Sequence, residues 1–171
     1  VYVDDNHEII VDPGTYCYTS DIIRRNEFRA TKKHNTIVVD DEEQNILDSS
    51  SAFGMKYNCN AKSLLLEENG GLGEYEKVKG KMIHQRIFKL NQDNLEIVDS
   101  VRKKGEGHNF YMSYHFAKDV QALLNENKVI LSIENKPYEL FFEYSGNIQL
   151  ALVPDTISSS FGVLEQTKTL V

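Results

Sequence analysis

The chain of 171 residues contains no tryptophan, only two cysteines, and no apolar run long enough to cross a bilayer. Without an indole it lacks the side chain on which independent saccharide-binding modules commonly stack sugars, although nine tyrosines can substitute. Cys17 and Cys59 can pair or stand as free thiols, and two cysteines do not fix a redox compartment. Positive charge is scarce as well: 19 Lys and Arg stand against 26 Asp and Glu, a formal net charge of −7. A general nucleic-acid binder needs a cationic face, so that class is excluded, and no membrane partner is expected. No signal peptide opens the chain. It starts without methionine on the strand-like Val1-Tyr2-Val3 and reads as a fragment, so the missing leader says nothing about export.

What is present is ordinary for a globular domain: 40% hydrophobic and 26% charged residues, enough to build one core without staples. Alternation of period two runs from end to end. Ile83, Gln85 and Ile87 alternate with His84, Arg86 and Phe88, and Val129, Leu131 and Ile133 share a face. Tyr138, Leu140, Phe142 and Tyr144 share another, and Ile148, Leu150 and Leu152 repeat the pattern. Turn signals separate these runs at Asn69-Gly70-Gly71, Gln92-Asp93-Asn94, Gly105-Glu106-Gly107, Glu126-Asn127, Asn135-Lys136-Pro137 and Gly146-Asn147. The pattern predicts an all-β, two-layer antiparallel β-sandwich, a single domain over residues 1–171. One short helical turn is expected near residues 21–29, where Asp21 can cap Ile22 onward.

The stretch from Val11 to Asp40 carries the chemistry. Pro13 pushes Asp12 towards an extended backbone and Gly14 permits the tight turn that follows, so the carboxylate is aimed by a rigid support. His34 precedes the β-branched run Thr36-Ile37-Val38-Val39. A carboxylate and an imidazole suit Zn²⁺, with a third protein ligand needed, and Asn35 and Thr36 can orient the imidazole from behind. The same residues also fit a plainer arrangement, in which Asp12 caps a turn and His34 is a hydrogen-bonded histidine at a strand edge. Between the two lie Arg24, Arg25, Arg29, Lys32 and Lys33, either a subsite for an anionic ligand or a solvated face partly satisfied by Glu27. Tyr16 and Tyr18, on one side of an extended segment, can stack on a sugar, act as acid or base, or simply pack.

The string Val11-Asp12-Pro13-Gly14-Thr15-Tyr16, then Tyr18, Arg25-Asn26, Phe28-Arg29, Thr31 and His34-Asn35-Thr36 resembles the heparinase II/III-like polysaccharide lyases. Fainter echoes at Val39-Asp40 with Gln44, His84 with Arg86, Asp99 with Val101, Tyr114-His115-Phe116, and Ser159 with Phe161-Gly162 carry the resemblance along the chain. It implies the C-terminal β-sandwich of a larger protein, with an N-terminal α/α toroid as partner domain and an acidic polysaccharide as ligand. Such enzymes cleave uronate-containing polysaccharide by β-elimination, and the resemblance favours a periplasmic or secreted setting. It implies Asp12 and His34 as metal ligands for zinc, and Arg25, Arg29 and Tyr16 as substrate-binding residues. Tyr18 is the one acid/base candidate within these residues, since most of the family's catalytic groups lie in the toroid. The family's Gly-His-Gly-His-Ala-Asp motif, with its catalytic histidine and third metal ligand, precedes the Asp-Pro-Gly turn and is missing here. The expectation is an incomplete zinc site and an inactive isolated fragment. A non-catalytic saccharide-binding or scaffold sandwich in polysaccharide assembly is the alternative, and a plain interaction module a third.

Four further features read as structure rather than chemistry. His84 is expected to be a satisfied sheet histidine, His115 to pack between layers or at an edge, and His108 to lie on a loop surface. The acidic run Asp40-Asp41-Glu42-Glu43 is expected to be a solvated turn.

Overall fold

The structure, a computed structural model, describes residues 1–77 and 81–171. β1 (Tyr2–Asp4) and β2 (His7–Ile10) form a first hairpin. The helix α1 (Ile22–Phe28) and one 3₁₀ turn (Thr31–Lys33) lead into β3 (Ile37–Val39), and β4 (Ile46–Leu47) pairs with β5 (Met55–Lys56). A meander follows of β6 (Cys59–Glu67), β7 (Gly70–Lys77), β8 (Met82–Leu90) and β9 (Leu95–Lys103). β10 (Phe110–Met112) returns to β3, and β11 (Tyr114–His115) joins the closing sheet. β12 (Gln121–Asn125), β13 (Lys128–Ile133) and β14 (Lys136–Phe141) form a second meander, and β15 (Leu152–Ile157) and β16 (Glu165–Leu170) end the fold. Every pairing is antiparallel. The all-β sandwich expected from the sequence is present, divided among the described residues into six hydrogen-bonded sheets.

Local sequence explains where the elements fall. In β13 alternate residues are buried, and Val129, Leu131 and Ile133 line the core at 7% exposure or less. These three meet Ile9 of β2, Val11 just beyond it, Phe116 after β11, Ile157 of β15 and Leu170 of β16 in one apolar cluster. The two three-stranded sheets thus enclose the core between them. The Glu126-Asn127 hairpin forms as its sequence suggests, with Asn125 opposite Lys128. Asp21 caps α1, its Oδ1 accepting from the N–H groups of Ile23 at 3.1 Å and Arg24 at 3.0 Å.

Two local expectations fail. Gly146-Asn147 does not make a hairpin, because no strand lies between Phe141 and Leu152. Phe142 and Leu150 still pack on the core, so the alternation there reflects burial without a ladder. Residues 11–17 are not a strand either: Tyr16 sits at φ 62° and breaks the extended run, sending Tyr16 and Tyr18 to different neighbours.

The Asp-Pro-Gly turn is locked against the end of β15. Pro13 is buried and its carbonyl accepts from the Ser158 N–H at 2.8 Å. Gly14 has φ 80°, and a Cβ there would lie 2.2 Å from the Ser158 carbonyl oxygen. Gly14→Ala therefore combines left-handed strain with a backbone clash and is expected to cost about 2–4 kcal/mol. Gly73→Ala, where a Cβ meets nothing within 4 Å, should change stability by less than about 0.5 kcal/mol. Urea denaturation of both variants checks the contrast.

Candidate functional site

The turn brings Asp12 to His34. Asp12 Oδ2 accepts from the Gly14 N–H at 3.1 Å, which leaves Oδ1 facing His34 Nδ1 at 2.7 Å. Both side chains remain open to solvent, at 54% and 34% exposure. Burial works against the charge on Asp12, but the bond to His34, the imidazole's field and the Gly14 N–H outweigh it and hold the carboxyl below its ordinary value. His34 follows the 3₁₀ turn in an extended conformation, φ −119° and ψ 161°. Asp12 thus caps its own turn and hydrogen-bonds His34 at the surface, the plainer of the two arrangements open from the sequence; a carboxylate and an imidazole are also donor types that zinc accepts. Among the described residues no third His, Cys, Asp or Glu completes a cluster.

Behind this pair runs a polar network centred on Asn35. Its Oδ1 accepts from the His115 N–H at 2.8 Å and faces His115 Nδ1 at 2.9 Å, while its Nδ2 donates to the Val11 carbonyl at 2.8 Å. The Asn35 amide oxygen and the Asp155 carboxylate are both acceptors, so each ring nitrogen of His115 faces one. His115 Nε2 then lies 3.3 Å from Asp155 Oδ2, and Asp155 also binds Lys33 Nζ and accepts from Thr169 Oγ1 at 2.9 Å. Lys33, His115 and Thr169 are all buried. Burial works against a charged Asp155, yet His115, Lys33, the Thr156 N–H and Thr169 together hold it well below the usual carboxylate range. On the other side the Asn35 carbonyl accepts from Arg86 Nη1 at 2.6 Å, and Arg86 grips Asp99 through Nε at 2.7 Å and Nη2 at 2.9 Å. Asn35 therefore turns towards His115 rather than His34. Thr36 Oγ1 meets Gln44 Nε2 at 3.5 Å, so neither residue bonds the His34 ring.

The cations between Asp12 and His34 divide by partner. Arg24 pairs with Glu27 at 3.0 Å on the surface. Arg29 is a clasp: Nε donates to Asn26 Oδ1, Nη1 to the Ala52 and Gly54 carbonyls, and Nη2 to the Asp48 and Ser51 carbonyls. It holds the loop before β5 and has no donor left for a uronate, contrary to the substrate-binding role expected of it. Arg25 spends only Nε, on the Ala52 carbonyl at 3.0 Å, and its guanidinium lies 5.3 Å from the centre of the Tyr18 ring. Tyr18 sits between Phe53 and Phe161, with ring centres 5.4 and 5.9 Å away and both planes tilted by 22°. Tyr16 packs instead on Phe28 at 5.7 Å, half-buried, away from that row.

His84 is the satisfied sheet histidine anticipated, its Nε2 2.6 Å from Asp99 Oδ1. His108 is not a bare loop residue, since Nδ1 meets Asp40 Oδ2 at 2.8 Å. Nor is the acidic run simply solvated. Asp40 also binds Lys103, Glu42 binds Lys77 at 2.6 Å, and Glu43 takes both the N–H and the hydroxyl of Thr31 at 2.7 Å. Cys17 and Cys59 are separate free thiols. No helix among the described residues is long and apolar enough to cross a membrane.

The fold is shared with solved lyases. Heparan sulfate lyase HepC from Pedobacter heparinus matches at 15% identity and TM-score 0.74, covering 96% of this chain and 25% of that one. A mutant of that enzyme matches at 15% identity and TM-score 0.74, over 96% and 26% of the two chains. A heparinase III gene product with methylated lysines matches at 16% identity and TM-score 0.73, over 96% and 25%. The chain thus spans about a quarter of the length of these structures, and at such identities the likeness is one of fold. None of the curated proteins matches. The model of the family "Heparinase II/III-like, C-terminal" matches residues 2–171, and the chain belongs to that family.

Two outcomes follow from this geometry. Arg29→Glu strips the loop carbonyls of their donors and should destabilise by about 2–4 kcal/mol, whereas Arg24→Glu, at an exposed pair, should stay within about 1 kcal/mol. Thermal melts of the two variants compare them directly. Because Asp155 is held below its ordinary value, unfolding in acid takes up a proton that the folded chain does not bind. The stability contributed by Asp155 is complete above about pH 5 and drains away as pH falls below about 4. Asp155→Asn should lower stability at pH 7 by about 2–3 kcal/mol and flatten the acid limb in a pH series of denaturation curves.

Proposed function

We infer that this chain is the sandwich domain of a polysaccharide lyase acting on uronate-containing polysaccharide by β-elimination. It forms one wall of the substrate cleft and holds part of a zinc site. Family membership over residues 2–171 supports the lyase reading. The observation that carries the site is the convergence of Asp12 Oδ1 and His34 Nδ1 at 2.7 Å, within the string that resembles the family.

In β-elimination a base removes the C5 proton of the uronate and the bond at C4 breaks without water. Charge accumulates on the sugar carboxylate as the carbanion forms, so a fixed cation beside it lowers the barrier. Arg25, with both terminal nitrogens unpartnered among the described residues, is the group here for that task. Tyr18, held between two phenylalanines, offers the cleft a ring rather than a proton. Asp12 and His34 are the two zinc donors of this chain. A bound ion would supply a fixed positive charge tying the Asp-Pro-Gly turn to the segment entering β3. Heparan sulfate, named as the substrate of a protein of like fold, is the first polysaccharide to try.

Two donors bind zinc far more weakly than three or four. Calorimetry of the 171-residue chain with Zn²⁺ is expected to give a Kd weaker than about 1 μM, and no heat after Asp12→Asn or His34→Ala. Sub-micromolar binding would overturn the two-donor reading. Polysaccharide binding that survives both substitutions, with no zinc bound, would favour a non-catalytic scaffold instead.

A further inference from the structure

Three surface loops are pinned together for no evident packing reason. Arg29 and Arg25 bond the carbonyls of residues 48–54, and the Gly162 N–H donates to the Tyr16 carbonyl at 2.7 Å. The Ser51 hydroxyl accepts from the N–H groups of Phe53 at 3.3 Å and Gly54 at 2.8 Å. These bonds bury Ala52 at 4% exposure but leave the aromatic tips beside it in solvent. Phe53 and Phe161, at the tips of two of the loops, are 67% and 69% exposed, and Tyr18 between them is 42% exposed. The result is a solvent-exposed row of three rings, Phe53 and Phe161 each tilted 22° from Tyr18, with the Arg25 guanidinium beside Tyr18.

Contiguous exposed apolar surface marks an interaction site more often than it marks nothing. The cation identifies the occupant. Of the five basic residues from 24 to 33, Arg24 and Lys33 have carboxylate partners and Arg29 is consumed by carbonyls. Arg25 is the one basic residue that sits on the aromatic row, and its terminal nitrogens have no partner among the described residues. A guanidinium fork beside flat aromatic faces matches a pyranose ring that shows an apolar C–H face and carries a carboxylate.

We propose that Tyr18, Phe53 and Phe161 form a stacking platform for the pyranose ring of a uronate, with Arg25 binding its carboxylate through both terminal nitrogens. The proposal rests on the uronate reading above and adds Phe53, which no motif marks, and gives a role to Phe161, which the family echo near the end of the chain left without one. The platform lies on the same loops as the Asp-Pro-Gly turn, so a polysaccharide crossing it runs along that edge of the domain.

The test is a calorimetric or NMR titration of the protein with a heparan-derived hexasaccharide, an alginate hexasaccharide and neutral cellohexaose. Phe53→Ala and Phe161→Ala should each weaken uronate binding about tenfold, and Arg25→Gln should do at least as much. Arg25→Lys keeps the charge but not the fork, and should recover part of the loss. Phe141→Ala is the matched control, since Phe141 is also 69% exposed and also carries a cation, Lys128, at 5.6 Å. It should bind as the parent does. Thermal melts should be unchanged for the phenylalanine variants, because neither ring is part of the core. Parental affinity in Phe53→Ala and Phe161→Ala overturns the platform while leaving the uronate reading standing. Equal binding of cellohexaose overturns the role of Arg25. Failure of the parent to bind either uronate hexasaccharide overturns both the platform and the cleft wall.

Discussion

Asn35 joins three parts of the sandwich through one residue. Its side-chain amide ties the segment leaving β2 to β11, and its backbone carbonyl receives Arg86 from the four-stranded meander. Remove the amide and the Val11 carbonyl and the His115 N–H, both buried in that seam, lose their shared partner at once. Asp12 directly precedes Pro13 in the segment so anchored, and His34 directly precedes Asn35. The positions of both site residues are therefore set by a joint that lies behind them, not by their own contact.

Electrostatically the domain uses its scarce cations for construction. Lys33 neutralises Asp155 beside a buried histidine, Arg86 answers Asp99, Lys77 and Lys103 answer the acids after β3, and Arg29 answers carbonyls. Desolvated pairs of this kind add modest net stability but strongly penalise any structure that separates them, which favours a unique arrangement of loops. Against that background Arg25 spends a single nitrogen on construction, and its terminal nitrogens have no partner among the described residues.

The sequence shows clearly whatever local chemistry decides. The Asp-Pro-Gly turn, the Asp21 cap and the alternation of β13 follow from backbone preference and period, and each appears where its residues suggest. Roles that depend on distant partners are not legible. Nothing in the sequence around Arg29 tells that its guanidinium closes on carbonyls 19 to 25 residues away, nor that Asn35 meets a histidine 80 residues later. The acids after β3 look like a solvated turn because their lysine partners lie in other strands. Phe53 and Phe161 carry no periodic signal, being single aromatics in loops, and only the fold sets them beside Tyr18.

The seam between Lys33 and Asp155 joins residues 122 apart in the chain, and the Asp-Pro-Gly turn rests on Ser158, close to the last strand. Contacts of such long range are entropically expensive to close and form late in folding. Within the domain, the segment carrying Asp12 and His34 is synthesised before β15 and β16 and has nothing to lean on until they arrive. Within this domain the site is thus made before the strands that support it and takes shape only with them.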